Sequence, residues 1–269
     1  MPELPEVETT RLGIAPHIER QRITGWVVRQ PLLRWPVELP ESVRGQVLHR
    51  VGRRGKYLLL ELDQGTLIWH LGMSGSMRVL TEAHPAGTHD HLDLHFANGR
   101  ILRYRDPRRF GSLHYSIGPW NAHWLLAQLG PEPASEAFDG AYLYQRSRGR
   151  RGAVKNFLMD SHIVVGVGNI YANESLFKAG IRPTRPAGRV SLARYERLAD
   201  AVKATLDAAV AMGGTTLRDF SGTDGQPGYF RQTLLVYGRD GEPCKLCGYP
   251  LTAMRLGQRS TVYCRHCQR

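Results

Sequence analysis

Leu92-Asp93-Leu94-His95-Phe96, then Ala97-Asn98-Gly99, then Arg100-Ile101-Leu102-Arg103-Tyr104 is the run that decides the fold class. An Asn-Gly turn between alternating flanks is a strong antiparallel hairpin signal. Upstream, Ile23–Val28 and Lys56–Leu62 carry the same strand character. Asp63-Gln64-Gly65 turns the second of these into Thr66–Leu71. Short strands joined by tight turns, from Ile23 to about Tyr115, predict a β-sandwich or barrel.

Helical periods flank this region. Pro5–Ile18 reads as a helix, with Pro5 in the first turn, Glu6 and Glu8 at the N-terminal end, and Val7, Ile14 and Ile18 on one face. Pro16 counts against its last turn. Burial of one side would fix the position of Pro2 and Glu3. Downstream, Trp120–Leu129 is expected to be helical and to stop at Gly130-Pro131, with Pro131-Glu132-Pro133 as a linker. Beyond it, Val154–Met159 and Ile170–Ala179 read as short helices. Leu192, Tyr195, Leu198, Val202, Leu206 and Val210 recur at helical spacing, and Gly213-Gly214 ends that run. Residues 213–232, rich in Gly and polar side chains, are expected to form a mobile loop.

Lys plus Arg number 36 against 24 Asp plus Glu, a net charge of +12 and a pI near 9.9. That balance favours a polyanionic partner, nucleic acid first. No apolar run approaches the ~18 residues of a membrane span, and no basic start precedes an apolar stretch, so the expectation is a cytoplasmic protein. Nothing in the sequence argues for an oligomer. All four cysteines lie at or beyond position 244. Cys244-Lys-Leu-Cys247 and Cys264-Arg-His-Cys267 are two C-x2-C knuckles with the spacing of a zinc ribbon. Four thiolates leave no position for water, so one zinc ion is expected, in a structural role. The hairpin between the knuckles carries Arg255, Arg259 and Thr261, either facing DNA or forming a solvated basic loop.

The N-terminal Met1-Pro2-Glu3-Leu4-Pro5-Glu6 either carries chemistry or simply opens a helix, which often begins Pro-Glu. Removal of Met1 would expose Pro2 as a secondary amine. An α-amine titrates near pH ~8, against ~10.4 for lysine, so more of it than of a lysine is nucleophilic at neutral pH. Glu3 beside it is within reach for proton transfer. Lys56, in Arg53-Arg54-Gly55-Lys56-Tyr57, reads as a solvated lysine entering a strand or as a catalytic residue. Asp106-Pro107-Arg108-Arg109-Phe110-Gly111 suits phosphate contact with an apolar wedge, or a salt-bridged turn with a core Phe. Met73, leading out of a strand, fits a core position. Arg146, Arg148, Arg150, Arg151 and Lys155 form a run that is either solvated or phosphate-binding. Gly166-Val167-Gly168-Asn169 opens a helix and allows an anion to approach its N–H groups. His70, His89 and His91 either shuttle protons or satisfy local hydrogen bonds.

Several of these runs together resemble the bacterial formamidopyrimidine-DNA glycosylases, which excise 8-oxoguanine: residues 1–9, 53–57, 70–75, 106–111, 166–174, 236–239 and 257–259. The resemblance implies an α+β protein. Residues 1–130 would form a β-sandwich with a catalytic N-terminal helix, 131–234 a helix–two-turns–helix domain, and 235–269 a four-cysteine zinc finger. Double-stranded DNA containing oxidised bases would be the partner. Pro2 would be the nucleophile, Glu3 the acid and base, Lys56 the proton carrier of the first elimination, and Arg259 a phosphate ligand acting in the second. Met73, Arg108 and Phe110 would fill the gap left by the everted base. Asn169, His89 and Arg151 would contact DNA, Arg151 standing where a lysine is frequent. A sister activity on oxidised pyrimidines shares this chemistry, but Leu4 favours the purine branch. A non-catalytic protein that recognises damaged DNA would not need Pro2, Glu3 and Lys56 together.

Overall fold

The structure is a computed structural model describing residues 2–82, 84–214 and 230–269. The expected mobile loop falls largely on 215–229, outside the described residues. The chain forms two compact units, one from the chain up to Ala127, the other mainly from Gln128–Ala211 and Phe230–Arg269.

Among the described residues of the first unit, eight antiparallel strands follow in the order β5-β7-β6-β1-β2-β3-β4-β8. They are β1 (Gln21–Val28), β2 (Val47–Arg54), β3 (Tyr57–Leu62), β4 (Thr66–His70), β5 (Ser76–Leu80), β6 (Asp90–Phe96), β7 (Ile101–Arg105) and β8 (Ser112–Ser116). β1 belongs to two sheets. Gln21 and Arg22 pair with β2, and Ile23–Val28 pair with β6, with a register shift between Ile23 and Gly25. A strand that changes sheets at such an irregularity folds one ribbon into a sandwich, which is the expected architecture. The 92–104 hairpin forms in the register its pattern predicts, Leu94 opposite Leu102. Gly99 supplies the left-handed residue of its three-residue loop, at φ 79°.

Helix α1 (Leu4–Ile18) lies against the sandwich, with Val7, Ile14 and Ile18 fully buried in its core. It runs through Pro16. A proline deep in a helix costs about 3 kcal/mol, but here it removes only a last-turn bond, and burial of Ile14 and Ile18 on either side offsets it. Trp120–Leu129 departs from expectation. Only Trp120–Ala122 is helical, as a single 3-10 turn, and His123 then turns to extended backbone at ψ 137°. Trp124 is exposed and Leu126 buried, so the segment lacks the continuous apolar face that would hold a helix.

The second unit holds α2 (Gly140–Ser147), α3 (Val154–Leu158), α4 (Asn169–Lys178), α5 (Leu192–Ala211) and the hairpin of β9 (Thr252–Leu256) and β10 (Arg259–Tyr263). Tyr195, Leu198, Val202 and Leu206 form the buried stripe of α5, while Leu192 at its start stays exposed. Among the described residues no helix is long and apolar enough to cross a membrane.

Candidate active site, nucleic-acid interface and zinc centre

The head of α1 positions Pro2 and Glu3. Glu3 is the N-cap residue, and it forms a reciprocal capping box with Glu6. The Glu3 N–H donates to Glu6 Oε2 at 2.9 Å. Both carboxylates are buried, with Glu3 only 2% exposed. A helix N-terminus favours negative charge, so the fold can keep a carboxylate out of water here, one residue from the buried Pro2.

Lys56 does not enter a strand. It is the second residue of the two-residue turn between β2 and β3, where Arg54 pairs with Tyr57. Gly55 at φ 56° takes the first position, which the twist of such hairpins requires. Across the sheet the Tyr57 ring packs on His70 at 4.8 Å. His70 Nδ1 accepts the Gly72 N–H at 3.0 Å. Burial, followed by the cations Lys56 and Arg34, pushes the His70 pKa down to about 4, against the opposing pull of Asp106. His70 is therefore neutral, with its proton on Nε2.

Asp106 organises the 106–111 turn from inside. It is fully buried and accepts from Ser74 Oγ at 2.7 Å, the Gly111 N–H at 2.8 Å and the Tyr104 hydroxyl at 3.0 Å. Ser74 Oγ in turn accepts the Arg108 N–H at 3.1 Å. A Cβ at Gly72 would fall 2.4 Å from the Gly111 nitrogen, so the turn after β4 and the 106–111 turn meet only because residue 72 lacks one. Phe110 is not a core residue. It is 43% exposed, with the Arg108 guanidinium 5.1 Å from its ring centre. Arg109 holds a left-handed φ of 56°. Met73 is half-buried on the neighbouring turn. His89 lines a cavity with Arg29 and Arg109. The first unit thus brings Met73, Arg108 and Phe110 onto adjoining turns.

In the second unit the surprise is Lys155. Its run reads as solvated or phosphate-binding, but Lys155 is fully buried. Its ammonium donates to Asn169 Oδ1 at 2.6 Å, Thr261 Oγ1 at 2.7 Å and the Ser260 carbonyl at 2.9 Å. It joins the start of α4 to β10. The available signal was its place among Val154, Phe157 and Leu158, all buried. Arg148 is also engaged internally, donating to the Tyr144 and Val190 carbonyls. Arg151 remains exposed at the entrance to α3. Arg259 is exposed immediately after a two-residue turn in which Gly257 and Gln258 both have positive φ, 54° and 60°. Glu174, buried in α4, was not singled out from the sequence; its carboxylate accepts the N–H groups of Leu235, Val236 and Tyr237 at 2.8–2.9 Å.

The four cysteine Sγ atoms lie within 4.8 Å of one another. Cys244 and Cys267 are 3.9 Å apart, Cys247 and Cys264 3.5 Å. Ligands at ~2.3 Å from a tetrahedral zinc would be about 3.8 Å apart, so the thiolates fit one zinc ion and fill its coordination sphere. The centre is structural. Phe177 of α4, Val236, Leu251 and Val262 pack around it.

Comparison with known proteins gives a consistent result along the chain. Residues 1–113 match the formamidopyrimidine-DNA glycosylase N-terminal domain, 129–221 the formamidopyrimidine-DNA glycosylase H2TH domain, and 241–269 the zinc finger found in FPG and IleRS. The chain is 62% identical to the formamidopyrimidine-DNA glycosylase of Alkalilimnicola ehrlichii and 59% identical to that of Marinobacter nauticus, with all of each chain covered. Among solved structures it resembles the MutM (Fpg) protein of Thermus thermophilus at 39% identity and a TM-score of 0.89, covering 99% of this chain and 98% of that one. It resembles Lactococcus lactis Fpg in complex with abasic-site DNA at 33% identity and a TM-score of 0.92, covering 99% of each. A Lactococcus lactis Fpg variant bound to Fapy-dG DNA matches with the same identity and score over the whole of both chains.

Proposed function

Since the chain belongs to the formamidopyrimidine-DNA glycosylase family and is a DNA glycosylase of DNA repair, we propose that it removes oxidised purines, 8-oxoguanine and formamidopyrimidines, from duplex DNA and then cuts the strand at the same nucleotide. Its place of work is the chromosome in the bacterial cytoplasm. The observation that carries this reading is the head of α1, where a buried carboxylate, Glu3, stands beside residue 2 at a helix N-terminus. Relatives with this fold bind Fapy-dG DNA and abasic-site DNA, the substrate and the intermediate that the reaction requires.

The damaged nucleotide is swung out of the stack, because its C1′ is unreachable inside a duplex. Met73, Arg108 and Phe110 fill the gap. His89, Arg151 and Asn169 hold the flanking phosphates. With Met1 removed, the lone pair of the Pro2 nitrogen attacks C1′. The bond from C1′ to the base breaks, and the base leaves with its electron pair and takes up a proton. Glu3 takes the proton that the Pro2 nitrogen loses and delivers it to the ring oxygen as the sugar opens, leaving an iminium ion between Pro2 and C1′. The iminium acidifies C2′. Loss of a C2′ proton, with Lys56 as its carrier, drives out the 3′ phosphate. A second proton loss, from C4′, drives out the 5′ phosphate, with Arg259 on the departing group. Water then releases the sugar remnant from Pro2. The product is a one-nucleotide gap with phosphate at both ends.

The test is borohydride trapping on duplexes carrying 8-oxoguanine or an oxidised pyrimidine, run side by side. Faster trapping on the purine lesion is expected. Trapping on the pyrimidine lesion alone would transfer the protein to the sister activity.

A further inference from the structure

Arg53 bonds to two segments of the first unit at once. Its Nε donates to Glu8 Oε2 at 2.9 Å, and its Nη1 donates to the Gly55 carbonyl at 2.9 Å. Glu8 lies on α1, whose head carries Glu3 and follows Pro2. Gly55 is the residue before Lys56 in the turn between β2 and β3. The rest of the Glu8 carboxylate is taken by Arg11, at 2.7 Å from Nη2 and 3.0 Å from Nε. Arg11 Nη1 in turn donates to the Val51 carbonyl on β2 at 3.3 Å. One carboxylate on α1 therefore holds two guanidiniums, and each guanidinium also holds a backbone carbonyl of the β2–β3 hairpin.

The side chains of Arg53 and Glu8 are only 16% and 18% exposed. Burial by itself would raise the Glu8 carboxyl, but the bonds from Arg11 and Arg53 outweigh it and hold it below the ordinary carboxylate range. Apolar packing of α1 on the sheet is non-directional, whereas charge-assisted hydrogen bonds from a planar guanidinium are directional and paired. The Arg53 bond to the Gly55 carbonyl fixes the peptide plane that leads directly into Lys56.

The geometry points to Arg53 as a positioning residue that holds Lys56 in register with the helix bearing Pro2. It does not act on the substrate itself. The inference rests on the assignment of Lys56 to the first elimination. Without Arg53 the turn loses this link to α1 while the head of α1 keeps its own capping box. Proton removal at C2′ should suffer, and attack by Pro2 should not. A displacement of about 1 Å at a reacting group can cost about a hundredfold in rate.

The experiment compares full-length wild type, Arg53→Ala, Arg53→Lys and Lys56→Ala under single-turnover conditions. Base release is followed on 8-oxoguanine duplex, and strand cleavage on a duplex with a pre-formed abasic site. Arg53→Ala should slow strand cleavage by about ten- to a hundredfold and base release by less than about threefold. A general loss of structure would lower both steps together. Arg53→Lys keeps the cation but cannot hold both partners in one plane, so it should fall between the two. It carries the same comparison if Arg53→Ala does not fold. Equal losses in both steps, or unchanged cleavage, would overturn the inference. Full cleavage by Lys56→Ala would instead remove the Lys56 assignment and the inference with it, and that control tells the two failures apart.

Discussion

The ammonium of Lys155 donates to Asn169 Oδ1 at 2.6 Å. An ammonium has donors only, so the oxygen of the Asn169 amide must face it, and the NH2 group must point away. The start of α4 is thereby left with an oriented donor suited to a phosphate. Through Thr261 and Ser260 the same ammonium fixes the strand that begins with Arg259. Lys155→Met should leave those three acceptors short of a donor, and each bond to a charged group contributes about 1.5–3 kcal/mol. Thermal unfolding should move down, and affinity for an abasic-analogue duplex should fall by about tenfold or more. Unchanged affinity would separate Lys155 from the DNA-binding function.

Asp106 shapes the Arg108–Phe110 turn from a fully buried position, with three donors directed at one carboxylate. Asp106→Asn would turn an NH2 group toward those donors. A loss of about 1–3 kcal/mol in stability is expected, together with weakened binding of lesion duplex as the turn loosens. Ser74→Ala removes one donor only and should be milder on both counts. Denaturant unfolding and duplex titration on the pair check the order.

His70 sets a pH limit on stability. Its folded pKa is depressed to about 4, below the ~6.5 of an unfolded histidine. The unfolded chain therefore binds the proton first. The contribution of this group is complete above pH ~6.5 and is lost as pH falls toward 4, with a slope of at most about 1.4 kcal/mol per pH unit. Denaturant unfolding between pH 7 and 4 should show this slope reduced in His70→Asn. The same slope in both proteins would contradict a neutral imidazole in the folded protein.

Removal of zinc should unfold the finger rather than abolish chemistry directly. Cys244, Cys247, Cys264 and Cys267 hold together a segment whose small core is shared with Phe177 of α4. Metal binding supplies much of the folding free energy of such a segment. Incubation with a strong chelator should release one equivalent of zinc and weaken duplex binding. Borohydride trapping at high enzyme concentration should persist, since Pro2 and Glu3 belong to the other unit. Simultaneous loss of trapping and binding at every concentration would make the metal more than structural.

Legibility in the sequence followed the range of the interactions involved. The 92–104 hairpin, α1 and the cysteine knuckles were legible because their signals are local: an Asn-Gly turn, an amphipathic period, a fixed ligand spacing. Lys56 reads as the first residue of a strand but occupies the turn before it, because turn and strand share its sequence. Trp120–Leu129 has a helical composition but no sheltered face, which only tertiary packing reveals. Lys155 and Glu174 were hidden for a related reason. Thr261 and Ser260 lie about a hundred residues from Lys155, and Val236 about sixty from Glu174, and no short pattern records a contact across that distance. The roles of Pro2, Glu3 and Arg259 came from family resemblance. Residue spacing alone left each of them open to a plainer reading.

The most direct test of the account is to trap the enzyme on 8-oxoguanine duplex with borohydride, digest the adduct and locate the modified peptide by mass spectrometry. The account predicts a reduced sugar–DNA remnant on the α-nitrogen of Pro2, in chains that have lost Met1. An adduct carried by Lys56 alone, or trapping at full rate by chains that keep Met1, would contradict it.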